Sequence, residues 1–293
     1  MALLAPPPRP AADPIQGTVP RGWTGQLRLR YVRDAGRTRL AAREHRGPLT
    51  IQRPFYPEGP AVSHTYLLHP PGGIVGGDEL HLEVEAGNGA HALLTTPAAT
   101  KLYRSAGANA SVQQAFRVER ASMLEWLPQE VIAYDGSRAT LATRVDLTED
   151  ARFIGWETLA LGRPAAGEAF EQGRLTQTLD IQRDGRPLLR ERLELTGSDP
   201  LLRAPWGLAG HVVVSTLVAV GPPARLDAVL GPLRECFAER PGAVAASDLG
   251  GLLVVRGLHQ RTRDATSTLI DTWRLLRPAL SDRPARPPRI WAT

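Results

Sequence analysis

Seven histidines, thirty acidic side chains and one cysteine are the groups in this 293-residue chain best suited to metal binding or acid–base work. Their spacing limits that chemistry. The histidines form no HxH, HxxxH or HExxH pair, so no single strand or helix offers two imidazoles to one ion. In Ser63-His-Thr-Tyr-Leu-Leu-His69, an extended strand puts His64 and Tyr66 on one face and His69 on the other. No stable, closed metal site is expected. No GxSxG elbow presents a nucleophilic serine. Cys236 falls on an amphipathic stretch, where a buried structural thiol is the better reading. Glu157 and Glu168 would make a carboxylate dyad for a β-rich carbohydrate hydrolase if the fold brought them together; structural ion pairs are the plainer alternative.

The Gly-rich stretch Pro70-Pro-Gly-Gly-Ile-Val-Gly-Gly-Asp78 is neither a P-loop nor a GxGxxG fingerprint. No Lys-Ser or Lys-Thr follows it, and a strand pattern follows rather than a helix. It reads as a tight irregular turn whose glycines permit positive φ. The functional alternative is that close backbone approach aims Asp78 into a shared cavity.

The elements that must position these groups are mostly strands. Leu27, Leu29 and Tyr31 alternate with Gln26, Arg28 and Arg30, the period of a half-buried strand. Residues 79–86 alternate in the same way, Gly87-Asn-Gly89 follows, and residues 90–96 read as the returning strand of a hairpin. A second hairpin spans 174–195 with Asp184-Gly185 at its turn. Further strands are expected near 112–119, 122–127, 140–147, 152–160, 211–220 and 251–257. Two helices come late. One covers 225–239, where Gly231-Pro232 threatens a kink. The other covers 263–277, with Asp264 near its start and Pro278 ending it. Residues 1–22 read as a disordered Pro/Ala-rich tail, 23–280 as one β-rich domain, and 281–293 as an extended tail.

Charge and cysteine usage narrow the function classes. The formal charge is +5 and the isoelectric point about 9.9, with Lys101 the only lysine. The arginines are scattered among Asp and Glu, which reads as a solvated surface and argues against nucleic acid as a partner. They suit association with acidic proteins. One cysteine fits a reducing compartment. The N-terminal apolar run is short and Pro-broken, unlike a signal-peptide core, and no stretch approaches the roughly 18 apolar residues of a membrane helix. A cytoplasmic protein with no membrane partner is expected.

His64-Thr-Tyr-Leu-Leu-His-Pro-Pro-Gly-Gly-Ile-Val-Gly-Gly-Asp78 resembles the signature of the UreD (UreH) family of urease accessory proteins. The likeness continues through Leu94-Thr-Thr-Pro-Ala-Ala-Thr-Lys-Leu-Tyr-Arg104 and Leu124-Glu-Trp-Leu-Pro-Gln-Glu130. It goes on through Gly155-Trp-Glu157, Gly162-Arg163, Gly167-Glu168, Leu275-Leu-Arg-Pro278 and Pro288-Arg-Ile-Trp291. Several motifs in order over roughly residues 23–292 are specific where each alone is not.

The resemblance implies a mainly β fold of antiparallel strands wrapped in a helix-like pile, with a pair of helices. It implies a non-enzymatic protein that binds apo-urease and the partner UreF, which recruits the GTPase UreG. Nickel(II) would be handled transiently, through an internal polar tunnel, with no cofactor held stably. Nickel accepts imidazole and carboxylate ligands, and a conduit must bind weakly enough to release. The matching motifs contribute Asp78, Thr95, Thr96, Glu130, Glu157 and Glu168 to such a path, with His64 and Arg163 beside them. Tyr66 and Trp126 read as core. The late helices are the expected UreF-facing surface, against the plainer reading that their apolar stripes dock on their own sheet.

Overall fold

The computed structural model describes residues 22–238, 240 and 242–292. All but Gly22 of the expected N-terminal tail lies outside them.

Successive turns of a coil build two facing walls. The outer wall takes β1 (Thr24–Asp34), β2 (Arg37–Arg46), β6 (Glu79–Ala86), β9 (Ala110–Val118), β12 (Arg138–Leu147), β14 (Arg174–Arg183) and β15 (Arg186–Thr196), in the order β15-β14-β12-β9-β6-β1-β2. The inner wall takes β3 (Thr50–Ile51), β4 (Ser63–Leu68), β7 (His91–Thr95), β10 (Met123–Trp126), β13 (Arg152–Leu161), β16 (Val213–Val220), β17 (Ala243–Asp248) and β18 (Leu252–His259), in the order β17-β18-β16-β13-β10-β7-β4-β3. Short strands β5 (Gly73–Ile74), β8 (Thr100–Leu102) and β11 (Val131–Ala133) continue the inner wall past a bend and close the side of the coil. Helices α1 (Pro223–Phe237) and α2 (Thr262–Ser281) cover the inner wall's other face.

Burial explains why the two walls read differently in sequence. The outer wall meets water on one face, so β1 and β6 alternate strictly, with Leu27, Leu29, Tyr31, Leu80, Leu82 and Val84 buried. The inner wall is covered on both faces, so β7 and β10 are buried at every residue. Inside the coil, equivalent positions stack in register. Leu29, Val84, Phe116, Val145 and Ile181 form one such layer. Removing one of these side chains opens a gap that neighbours on adjacent turns cannot fill, so each layer resists truncation.

The mainly β class, the wrapped arrangement and the two late helices match expectation. The pairing does not. Through the middle of both walls the ladders are parallel, as in β1–β6–β9–β12–β14 and β4–β7–β10–β13. Antiparallel pairs occur toward the ends of the walls. The coil itself is the reason: each circuit returns a strand beside its equivalent one turn earlier, pointing the same way.

The expected hairpin over 79–96 is corrected for the same reason. β6 pairs with β1 and β9, whereas β7 pairs with β4 and β10. Asn88-Gly89 turns the chain from one wall to the other. The 174–195 hairpin does form, and its turn has Asp184 at φ 50° and Gly185 at φ 73°, the positive pair a two-residue hairpin needs. α1 runs through Pro232 unbroken. α2 runs through Pro278 and stops at Asp282, whose φ is 55°. Leu276 and Leu280 flank that proline and are buried, so packing outweighs one missing backbone bond. The C-terminal tail ends in a short 3-10 helix, Arg289–Ala292. Its Trp291 rests on Trp156 and Trp273, with centroids 5.5 and 5.6 Å away. Among the described residues no helix is long and apolar enough to cross a membrane.

Candidate functional site

A cavity of 210 Å³ lies in the lumen, between β9, β12 and β14 on one side and β13 on the other. Leu67, Leu80, Leu82, Leu141 and Leu159 make much of its wall. Polar groups gather at one place. Glu157 Oε1 lies 2.5 Å from Thr143 Oγ1, and Glu157 Oε2 accepts from Gln177 Nε2 at 2.5 Å. Gln114 Oε1 accepts from Trp126 Nε1 at 3.1 Å and lies 3.3 Å from Thr143 Oγ1. Toward the bends stand Thr96, Gln129, Lys101 and His69.

Parity puts those polar groups there. Gln114 lies between Val112 and Phe116, Thr143 between Leu141 and Val145, and Gln177 between Leu175 and Leu179, all at inward positions. Glu157 projects from the facing wall and lines the cavity. Burial pushes its carboxyl above the usual range, and the bonds from Thr143 and Gln177 offset only part of that. Burial likewise pushes the His69 imidazole down, with nearby Asp78 acting against it. At this spot the lumen offers one reluctant carboxyl, one hydroxyl and two amides. Among the described residues Glu157 is the only carboxylate on the cavity wall, so the dyad with Glu168 required of a hydrolase does not form there.

Of the residues expected on a nickel path, Glu157 and Thr96 line this cavity. Thr96 Oγ1 also accepts from the Gln129 amide at 2.9 Å. The others are placed elsewhere. Thr95 is buried on the helix side, donating to the Leu127 carbonyl and accepting from Trp291 Nε1 at 2.9 Å. Glu130 edges a small recess beside Trp291. Glu168 pairs with Arg163 and accepts the Asp135 amide at 2.8 Å, which holds its carboxyl low, while Arg163 stacks on Tyr134. Asp135 in turn accepts the Glu171 and Gln172 amides and Arg104, so this loop is tied to itself.

Asp78 also fastens backbone. Its Oδ1 accepts from the Trp23 amide at 2.8 Å and its Oδ2 from the Val75 amide at 2.9 Å. The surrounding glycines serve this turn: Gly77 has φ 94°, and a Cβ on Gly73 would stand 2.2 Å from the Tyr103 ring. Asp78→Ala leaves both amides without an acceptor. It is expected to destabilise the fold by about 1–3 kcal/mol, read as a lower urea midpoint with unchanged slope.

A second polar assembly, missed in the residue reading, sits on the opposite face of the inner wall. Arg277 on α2 is fully buried and donates to Glu58 at 2.7 and 2.8 Å and to Glu125 at 3.0 and 3.1 Å. Trp273, one helical turn earlier, donates to Glu125 at 2.6 Å. His64 Nε2 meets Glu58 at 2.6 Å, and His91 Nε2 meets Glu125 at 2.7 Å. Burial would raise the Glu125 carboxyl, but Arg277, His91 and Trp273 outweigh it and hold it at about 2. Burial is likewise outweighed at Glu58, by His64 and Arg277, and its carboxyl is lowered. His64 therefore belongs to a structural clasp, its Nδ1 buried without a partner. Glu125 standing amid an otherwise apolar buried strand was the signal for it. Among the described residues no group of three or more His, Cys, Asp or Glu side chains could hold a metal ion.

The apolar faces of α1 and α2 are used internally. Leu226, Val229, Leu233, Leu269, Trp273 and Leu276 pack with Leu217, Leu253 and Val255 of the sheet. Cys236 sits half-buried on α1, 3.7 Å from Arg240 Nη2.

Relatives carry this sequence pattern across nearly its whole length. A urease accessory protein UreD of Alkalilimnicola ehrlichii is 48% identical over 288 residues, covering 97% of each chain. UreD proteins of Dechloromonas aromatica and Pseudomonas aeruginosa are 47% and 48% identical, each covering 92% of this chain and 95% of their own. The UreD urease accessory protein family profile matches residues 24–292. With its motifs, coil and late helices all falling inside that match, the chain belongs to the UreD family of urease accessory proteins, which are maturation factors rather than enzymes.

Proposed function

We propose that this protein serves urease maturation in the cytoplasm by binding apo-urease together with UreF, through which the GTPase UreG joins, and by passing nickel(II) over polar groups of the lumen. The supporting observation is the cluster of Glu157, Thr143, Gln177 and Gln114 within a largely apolar cavity. Nickel is cargo in this reading. A carboxyl that resists ionisation, flanked by a hydroxyl and amides, makes a weak and reversible contact for a borderline cation. Thr96 and Gln129 at the bend extend the polar lining.

UreF is assigned to the solvent-facing sides of α1 and α2, whose other sides are committed to the core. The hydrolase alternative loses ground because only one carboxylate among the described residues faces the cavity.

The test is urease activation in cells. Deleting the gene is expected to reduce urease activity to background, and a plasmid copy to restore it. Activity unchanged by deletion would sink the proposal. Co-purification of UreF with the full chain tests the partner assignment separately.

A further inference from the structure

Most of the strand edges that end the two walls are blunted by the chain itself. β15 carries Pro187 near its start, and its Glu191 pairs with Arg256 of β18. β17 lies against α1. At β2 the first half is closed as well. The Thr38 amide donates to the Pro60 carbonyl at 2.9 Å, and Thr38 Oγ1 donates to the Ala61 carbonyl at 2.7 Å.

The second half of β2 is different. Ala41–Arg46 is exposed at every residue. A bulge at Ala41 separates it from the closed half, and beyond the bulge the ladder with β1 is regular from Ala42↔Arg30 to Arg46↔Gln26. β2 is the last strand of its wall, so among the described residues this stretch offers unpaired backbone donors and acceptors at Arg43 and His45.

Its charge selects among possible strands. Arg43 and His45 share the face of Leu29 and Leu27, while Glu44 and Arg46 share the opposite face. Among the described residues, Arg43, His45 and Arg46 have no side-chain hydrogen bond or ion pair. Glu44 leans toward Arg28, 4.0 Å away. A second copy of β2 laid antiparallel and centred on Glu44 would oppose Glu44 to Glu44, and one centred on Arg43 would oppose Arg43 to Arg43, so both registers set like charges against each other. Glu83 and Glu85 are already paired with Arg28 and Arg30, so the charge left over at this edge is that of Arg43 and Arg46, which suits a strand carrying carboxylates.

We infer that Ala42–Arg46 of β2 is a docking edge for an extended acidic segment of a partner protein, which adds a strand to the outer wall. Main-chain bonds would supply affinity, and Arg43 and Arg46 would select the charge. This surface is independent of nickel passage and lies on the opposite wall from the helices.

The test uses the full chain with a short fluorescein-labelled peptide of Glu-Glu-Thr-Thr repeats, which puts carboxylates on both faces of a strand. A lysine–threonine peptide and an oligothymidine serve as comparisons. Salt-sensitive binding of the acidic peptide is expected, with hydrogen-exchange protection of the Arg43 and His45 amides, which face the open edge. Arg43→Glu/Arg46→Glu, both exposed, should weaken it about tenfold or more, and His45→Pro should weaken it by removing an outward-facing donor. The inference is overturned if the acidic peptide does not bind, if protection appears elsewhere, or if the double variant binds like wild type. It is also overturned if the oligothymidine binds as tightly and protects the same amides.

Discussion

Replacing Arg277 with methionine is expected to destabilise the protein by about 3–5 kcal/mol, the cost of leaving buried carboxylates without their cation. Arg277 is fully buried and bridges Glu58 and Glu125, which approach it from different segments of the chain. Without it, two buried carboxylates remain at the helix–sheet boundary with His64, His91 and the Trp273 indole as partners but no guanidinium. Adding Glu58→Gln and Glu125→Gln should recover part of the loss, because the stranded charges are then gone. Urea unfolding of the three proteins decides it. A loss below about 1 kcal/mol for Arg277→Met would put the clasp in the range of a surface pair.

The same clasp sets an acid limit. Glu125 falls from 4.5 to about 2 on folding, and Glu58 is also lowered. In that window the unfolded chain binds more protons than the native one, so stability rises with pH. The contribution is complete above roughly pH 5, where unfolded glutamate is ionised, and is lost as pH falls toward 2. A urea midpoint that stays flat from pH 5 to 3 would contradict this, whereas Arg277→Met should flatten the slope.

Glu157→Gln is expected to act in the opposite sense. Folding raises this carboxyl, so above the unfolded value the native state holds more protons and stability falls as pH rises. The amide cannot ionise. The variant should therefore match wild type near pH 4 and exceed it near pH 8, while keeping the contacts to Thr143 and Gln177. Under the proposed function it should also lower urease activation about tenfold, as removing one group around a metal commonly does. The two readouts separate cleanly. Equal stability at both pH values would mean the carboxyl is well solvated in the native state. Raised stability with full activation would remove Glu157 from the nickel path and leave the electrostatics standing.

The amino-acid sequence by itself determined most of the elements. Alternation placed β1, β6, β12 and the β14–β15 hairpin, because one face of the outer wall meets water and the period of two survives. Apolar spacing placed α1 and α2 for the same reason: each has one buried stripe. The motifs carried the family. Even the polar lining was legible in principle, since Gln114, Thr143 and Gln177 interrupt apolar parity inside strands that are otherwise regular.

Only the tertiary structure decided which strands are neighbours. Asn88-Gly89 serves a hairpin or a corner equally well, and the local backbone does not distinguish them. The coil chose the corner by setting β7 against β4 and β10. The same choice sorted the polar residues. Thr95 and Thr96 are adjacent, yet one turns toward Trp291 and the other lines the lumen. His64 and Asp78 belong to one motif, yet one joins a clasp with Arg277 and the other holds the Trp23 and Val75 amides. A motif records that a side chain matters. Whether it faces the lumen, the helices or its own backbone depends on contacts with other turns of the coil and with the late helices, and those exist only once the coil has closed.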